Sequence, residues 1–238
     1  FYRHYLKIYR QADAILVNTP LEKATLCDLG VNPDRLYVVG VGPILADTTD
    51  AAWFRQHYHI PDEVPVVLFL GQKYAYKHFD WLVDAMPSVW RTHPDAHLCL
   101  IGPETPYSMK RLADIEDKRI HNIGVVSLQH KTDAIAACDV LCVPSAKESF
   151  GAVYLEAWTY KKPVIGGTAP ASVDIIERAQ GGFYGSQSYK VLSDQLRQLL
   201  SDPNLRQKWG EAGHQFAKDF QWKHLILRVE HLFVTINR

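Results

Sequence analysis

A series of short apolar runs, each ending at a turn-forming residue, fixes the class of fold open to this chain. Pro65-Val-Val-Leu-Phe-Leu70 stops at Gly71, and His97-Leu-Cys-Leu-Ile101 at Gly102-Pro103. Asp139-Val-Leu-Cys-Val143 stops at Pro144-Ser145, and Lys162-Pro-Val-Ile165 at Gly166-Gly167. Runs that are apolar in succession, rather than at alternate positions, belong to strands buried on both faces. Between them lie segments of helical period. His78 to Trp90 turns Leu82, Val83, Met86 and Trp90 to one side; Tyr107 to Glu116 and Lys131 to Cys138 follow, with a short strand at Ile120 to Val126. Strand and helix alternating from about Val64 to Ala179 predict an α/β fold, a doubly wound parallel sheet covered on both faces. Ser172–Ala179 reads as a short helix and Gly182–Tyr184 as a strand, before three C-terminal helices over Tyr189–Leu200, Asn204–Lys218 and Trp222–Asn237. Ahead of this body, Ala14–Asn18 and Leu36–Val39 read as strands, Pro20–Leu29 as a helix stopped by Gly30, and Asp50–Tyr58 as another helix. The polar, Gly/Pro-containing stretch Gly42–Thr49 is the expected boundary. It divides the chain into a linker-like segment, 1–45, and a main domain, 46–238.

Composition narrows the functional classes. Of 238 residues, 47% are hydrophobic and 22% charged, which suits a globular protein. Lys plus Arg and Asp plus Glu balance at 26 each, so no overall basic field points to nucleic acid. No apolar run reaches membrane-spanning length and no signal peptide is read at the start. Cys27, Cys99, Cys138 and Cys142 lie scattered, mostly in apolar runs. They read as reduced core thiols of a cytoplasmic protein rather than as zinc ligands, since no paired Cys-x-x-Cys occurs.

The chemistry concentrates at Glu148-Ser-Phe-Gly-Ala-Val-Tyr-Leu-Glu156, between two of the apolar runs. Strand, Gly-containing turn, helix and strand form a βαβ unit, and ligands of open α/β sheets bind at the carboxyl ends of the strands. Ser149 is expected to cap the helix. The amides of Phe150, Gly151, Ala152 and Val153 would then lack intrahelical partners, an arrangement suited to phosphate at the positive end of a helix dipole. Glu148 falls on the loop before the helix and Glu156 roughly two turns in. Carboxylates accept hydrogen bonds and suit vicinal hydroxyls. Phosphate between two hydroxyl clamps describes a sugar nucleotide. The same glutamates also suit the exposed face of an ordinary helix.

Other loops fall on the same sheet edge. Gly71-Gln72-Lys73-Tyr74-Ala75-Tyr76-Lys77 follows a strand, and Lys73 and Lys77 are cations that could neutralise charge on a departing phosphate. They read equally as solvated lysines, although a lysine at a helix start is unfavourable without an anion beside it. Asn122-Ile-Gly124-Val125-Val126-Ser127 is either a surface that reads a nucleobase or a plain connection. Tyr74, Tyr76 and Tyr107 could stack on a base or sugar, or cover the sheet edge. Gly40-Val-Gly42 lacks the third glycine of a dinucleotide fingerprint, and neither a P-loop nor a Gly-x-Ser-x-Gly elbow occurs. No Asp-x-Asp is present to clamp a metal on a diphosphate.

Taken together, Pro144-Ser145…Glu148-Ser-Phe150-Gly151…Glu156-Ala157…Lys162-Pro163-Val164 resembles the E-x7-E region of the GT-B retaining glycosyltransferases of group 1, also called family 4. Gly71 to Lys77 is similar to that family's Gly-Arg…Lys phosphate motif, and Ala12 to Val39 to its crossover from a first lobe. The resemblance implies a Rossmann-like lobe of a GT-B fold, the donor-binding half of an enzyme that moves a sugar from a nucleotide donor with retention, usually without a metal. It implies that Glu148 binds the donor sugar and Glu156 the ribose. Phe150, Gly151, Ala152 and Val153 would meet sugar and phosphate. Lys77, with Lys73, Gly71 and Gln72, would face the diphosphate, and Val126 would lie near the base.

Two departures stand out. Gln72 replaces the family's arginine, with Lys73 beside it to supply charge but no bidentate fork. His78 replaces the usual glycine after the lysine. The chain is also short for two lobes of roughly 150 residues each. The expectation is therefore a missing N-terminal acceptor lobe, little turnover by this half alone, and peripheral membrane association, at the inner face, through that lobe. The amphipathic start, Phe1 to Tyr9, is expected to pack on its own domain or on a second copy, giving a dimer. A sugar-nucleotide-binding module without transfer activity, or a GT-B sugar-nucleotide epimerase, is the alternative.

Overall fold

The computed structural model describes residues 2–236, which divide into two compact units. Of the described residues, the first comprises 2–43 and 219–236, the second 44–218.

In the first unit, helix α1 (Tyr2–Gln11) precedes strand β1 (Ile15–Val17), helix α2 (Pro20–Asp28) and strand β2 (Leu36–Val38). The strands pair in parallel, Ile15 opposite Leu36, and a small core gathers Ile15, Val17, Val31 and Leu36 under Leu6 and Tyr9 of α1. Thr19 caps α2 by accepting from the Glu22 N–H at 2.9 Å, and Gly30 ends it with a left-handed φ of 80°. The N-terminal segment therefore packs on its own unit; Phe1 lies outside the described residues.

The expected main domain over 46–238 closes earlier, at Lys218. The helix Trp222–Ile236 belongs with the first forty-odd residues. Trp222 donates its indole N–H to the Pro43 carbonyl at 2.8 Å, and Arg228 donates to Val39 at 3.2 Å. The Trp222 ring lies so close to Gly42 that a Cβ there would sit 2.8 Å from it. An amphipathic helix declares that one face is buried, not what buries it.

The second unit runs α3 (Ala51–His57), β3 (Val66–Leu70), α4 (Phe79–Val89), β4 (His97–Ile101), α5 (Pro106–Leu112), β5 (Ile120–Ile123), α6 (Leu128–Ala137) and β6 (Val140–Val143). It continues with α7 (Ala152–Thr159), β7 (Val164–Gly166), α8 (Pro170–Ala179), β8 (Gly182–Phe183), α9 (Tyr189–Ser201) and α10 (Pro203–Ala217). Six parallel strands lie in the order β5-β4-β3-β6-β7-β8. Every residue of β3, β6 and β7 is buried, as the continuous apolar runs require. The chain winds outward from β3 to β5 and returns to wind the other way from β6 to β8. The switch point, where such sheets bind ligands, falls between β3 and β6.

Several boundaries differ from expectation. Helix α5 ends at Leu112, not Glu116. Helix α6 starts at Leu128 rather than Lys131, because the Ser127 hydroxyl accepts from the His130 N–H and nucleates it a turn earlier. Trp90 closes α4 half-buried, under the Arg119 guanidinium 3.6 Å from its ring centroid. Ser149 is not the cap of α7. Gly151 holds that place with φ 89° and ψ 41°, so Ser149 and Phe150 belong to the loop. Glu156 accordingly lies about one turn into α7, not two.

Candidate active site at the sheet switch point

The strand ends on this edge are brought together by glycine. Gly102 takes φ 139°, and a Cβ on it would lie 2.0 Å from the Gly71 carbonyl oxygen. Gly71 also donates its N–H to Ile101 at 3.0 Å. The two loops can thus approach with bare backbone and open a cleft of about 460 Å³ beyond them. Gly71, Gly102, Val125, Val126 and Ser127 form one wall of it, and Lys131, Val153 and Glu156 belong to α6 and α7.

Glu156 is only 7% exposed. It accepts from the Lys131 ammonium at 2.7 Å and from the Ile44 N–H at 3.3 Å. Burial pushes its carboxyl above the usual carboxylate range, and the Lys131 charge holds it back down. Lys131 is anchored in turn on the Ile44 carbonyl at 2.6 Å. Sequence reading missed Lys131. Its signal was Ser127, which, taken as the cap, sets Lys131 on the first turn of α6, at the cleft.

The second charged pair joins the loops after β3 and β6. Lys77 donates to Glu148 Oε2 at 2.6 Å, with both side chains 15% exposed. The same loops are tied by the Ala146 N–H to the Tyr76 carbonyl at 2.8 Å. Phe150 is buried, and Gly151 turns the chain into α7. A Cβ on Gly151 would sit 2.6 Å from the Tyr154 ring. Ala152 and Val153 then present the first helical amides, ahead of the Tyr154 N–H, which donates to Gly151 at 2.9 Å.

Gly71, Val126, Val153 and Glu156 of the expected set share the cleft lining, and Lys77 and Glu148 share an ion pair. Gln72 is exposed and outside the lining. Lys73 departs furthest from expectation. Its side chain is completely buried, and its ammonium donates to Asn122 Oδ1 at 2.6 Å and the Ile123 carbonyl at 2.8 Å. Enclosed in this way it does not reach a ligand in the mouth; desolvation lowers its pKa to about 8.

His78 adopts a left-handed φ of 51°, which explains why a glycine suits this position, and it stacks on Trp81 at 3.8 Å. Tyr74 and Tyr76 stack on one another at 5.6 Å, while Tyr107 donates to Asp80 at 2.9 Å. Cys99, Cys138 and Cys142 are buried free thiols, and burial pushes Cys138 up to about 12. No cluster suited to a metal ion occurs among the described residues, and none of their helices is long and apolar enough to cross a membrane.

Comparison with known proteins places this architecture. The model of the glycosyl transferases group 1 matches residues 51–216. The chain is 28% identical over 244 residues to a D-inositol 3-phosphate glycosyltransferase of Corynebacterium aurimucosum, covering 93% of this chain and 56% of the relative. It therefore spans little more than half the length of that relative. Among solved structures, sucrose-phosphate synthase of Thermosynechococcus elongatus superposes with a TM-score of 0.82 at 23% identity, over 98% of this chain and 60% of the other. Anabaena HepE in complex with UDP-glucose superposes with a TM-score of 0.79 at 18% identity, over 100% of this chain and 68% of the other. The doubly wound sheet is thus the Rossmann-like lobe of a GT-B fold, and the chain belongs to the glycosyl transferases group 1.

Proposed function

We propose that this chain is the donor-binding half of a retaining glycosyltransferase, which moves a sugar from a nucleoside diphosphate to an acceptor held by a further, N-terminal lobe. The observation that carries the reading is the disposition of two carboxylates around the start of α7: Glu148 paired with Lys77 on the loop before it, and Glu156 in the cleft wall one turn inside it. The first amides of α7, at Ala152 and Val153, and the Lys77 ammonium suit the diphosphate, whose developing charge they would stabilise as the sugar leaves. Glu148 suits hydroxyls of the donor sugar, and Glu156 those of the ribose. Gly71 and Val126 flank the space for the base. The Phe150–Gly151 turn aims the helix, and exposed Gln72 is the weakest member of the set. No metal has a part in this scheme. The UDP-glucose complex of the similar Anabaena protein supports a nucleotide-sugar ligand.

The remaining partners belong to the same reading: a cytoplasmic enzyme, peripheral at the membrane through the further lobe. Tyr5 and Ile8, exposed on α1, suit either that lobe or a second copy. A module that binds sugar nucleotides without transfer is favoured by one observation, the exposed Gln72 where the resemblance expects a phosphate-binding arginine. The experiment separates the two. Sugar transfer by the intact protein is measured for the wild type and Glu148→Ala, alongside thermal shifts with UDP, GDP and ADP. Transfer lost with nucleotide binding retained supports the assignment; transfer at full rate in Glu148→Ala refutes it; binding without transfer in the wild type supports the module.

A further inference from the structure

Lys73 lies just past β3, and its backbone N–H, carbonyl and ammonium all bond to the neighbouring strand ends and the loops that follow them. Its backbone N–H donates to Pro103 at 3.3 Å, and its carbonyl accepts from the Thr105 hydroxyl at 2.8 Å, both in the loop after β4. Its ammonium crosses to the end of β5, donating to Ile123 at 2.8 Å and Asn122 at 2.6 Å. The Asn122 amide N–H returns to the loop after β4, donating to Glu104 at 2.7 Å. One residue thus ties three successive strand ends together. An aliphatic side chain would fill the same space without the desolvation cost of an interior ammonium. What the ammonium adds is therefore the two bonds to Asn122 and Ile123, which immediately precede the segment Gly124–Ser127, whose last three residues line the cleft.

We infer that Lys73 is a positioning residue for the nucleoside part of the donor. Through Asn122 and Ile123 it fixes the Gly124–Ser127 loop against the ends of β3 and β4, and so holds the shape of a slot for a planar base. The inference rests on the donor-binding reading above. It places the effect of Lys73 on the nucleoside and not on the diphosphate, which that reading gives to α7 and Lys77. Lys73 touches neither.

The test is Lys73→Met, nearly isosteric and uncharged, in the intact protein. Affinities for UDP, GDP, ADP and inorganic pyrophosphate are measured by calorimetry, and amide exchange is followed by mass spectrometry. The nucleoside diphosphate that the wild type binds is expected to weaken about tenfold, with pyrophosphate within about twofold. Exchange at 124–127 is expected to speed up while β3 stays protected. Donor turnover should show a raised KM with kcat little changed. Unchanged nucleotide affinity, or an equal loss for pyrophosphate, overturns the inference. Should Lys73→Met fail to fold, Asn122→Ala keeps the ammonium and cuts its side-chain link. The expected loss is then about threefold, again confined to nucleosides, and unchanged affinity again overturns the inference. A wild type that binds none of the three nucleotides overturns the donor-binding reading itself, a result distinct from the failure of Lys73 alone.

Discussion

Removing the charge of Lys131 should destabilise the fold in a manner that depends on pH. Glu156 is 7% exposed and has two partners, the Lys131 ammonium at 2.7 Å and the Ile44 N–H at 3.3 Å. Lys131→Met leaves the carboxylate in the cleft wall with the N–H alone. Breaking a fully buried ion pair costs about 3–5 kcal/mol. The Lys131 side chain is 23% exposed, and the cleft admits water, so about 2 kcal/mol is the appropriate loss near pH 7.5. In a domain of this size that lowers Tm by about 4–8 °C. The sign with pH follows from burial, which already raises the Glu156 carboxyl in the presence of Lys131 and raises it further without it. A carboxyl raised on folding binds its proton more tightly in the folded state. Its stability is complete below the unfolded pKa and is lost as pH rises through the folded one. The deficit of Lys131→Met against wild type should therefore shrink as pH falls toward about 4.5. Adding Glu156→Gln should recover part of it at neutral pH. Urea denaturation at several pH values measures both. A deficit independent of pH, or a double variant no more stable than Lys131→Met, would refute the reasoning.

Three further outcomes follow from the geometry. Gly151→Ala places a side chain at φ 89° and 2.6 Å from the Tyr154 ring, which is fully buried and held by Val143 at 3.0 Å. Thermal denaturation should show a loss of about 2–4 kcal/mol, and a variant within 0.5 kcal/mol of wild type would mean that the turn can relax. His121 faces His97 at 2.7 Å, and burial, then the His97 charge, lowers its pKa to about 4. An imidazole depressed on folding supports the fold above its unfolded pKa near 6.5 and withdraws that support as pH falls toward 4. The contribution, reduced for partial exposure, is about 1–2 kcal/mol, and an NMR titration of His121 near 6.5 would contradict it. Gly102→Ala drives a Cβ to within 2.0 Å of the Gly71 carbonyl. Limited proteolysis should find the 71–78 and 102–105 loops newly susceptible, and wild-type resistance would show that the strand ends can separate.

The sheet was legible because buried parallel strands declare themselves by unbroken apolar runs; Val66–Leu70 and Val140–Val143 lie where the runs are. Glu148 and Glu156 were legible as a pair because one precedes, and the other lies on, the helix that follows such a run. Lys73 was not. The direction of a side chain in a loop has no period to read, and a lysine three residues past a strand can turn inward once carbonyls await it. The start of α7 was misplaced because Ser149 is a better cap by residue type than Gly151, yet the left-handed turn that only Gly151 makes easily sets the boundary. Lys131 escaped notice for a related reason: moving the start of α6 by three residues changes which side chains occupy its first turn.

The pairing of Lys77 with Glu148 has a consequence for selectivity. Each is the other's counter-ion at 2.6 Å, across loops that belong to opposite halves of the sheet. An anion that captures the ammonium alone strands a carboxylate in a site that is only 15% open to water, and a neutral polyol that captures the carboxylate alone strands the ammonium. Either half-ligand forfeits much of what it gains. A molecule that offers negative charge and hydroxyl groups at the right separation replaces both partners at once and leaves no orphan. Under the donor-binding reading proposed above, the pair would therefore favour a ligand that carries negative charge and hydroxyl groups together over free phosphate or free sugar.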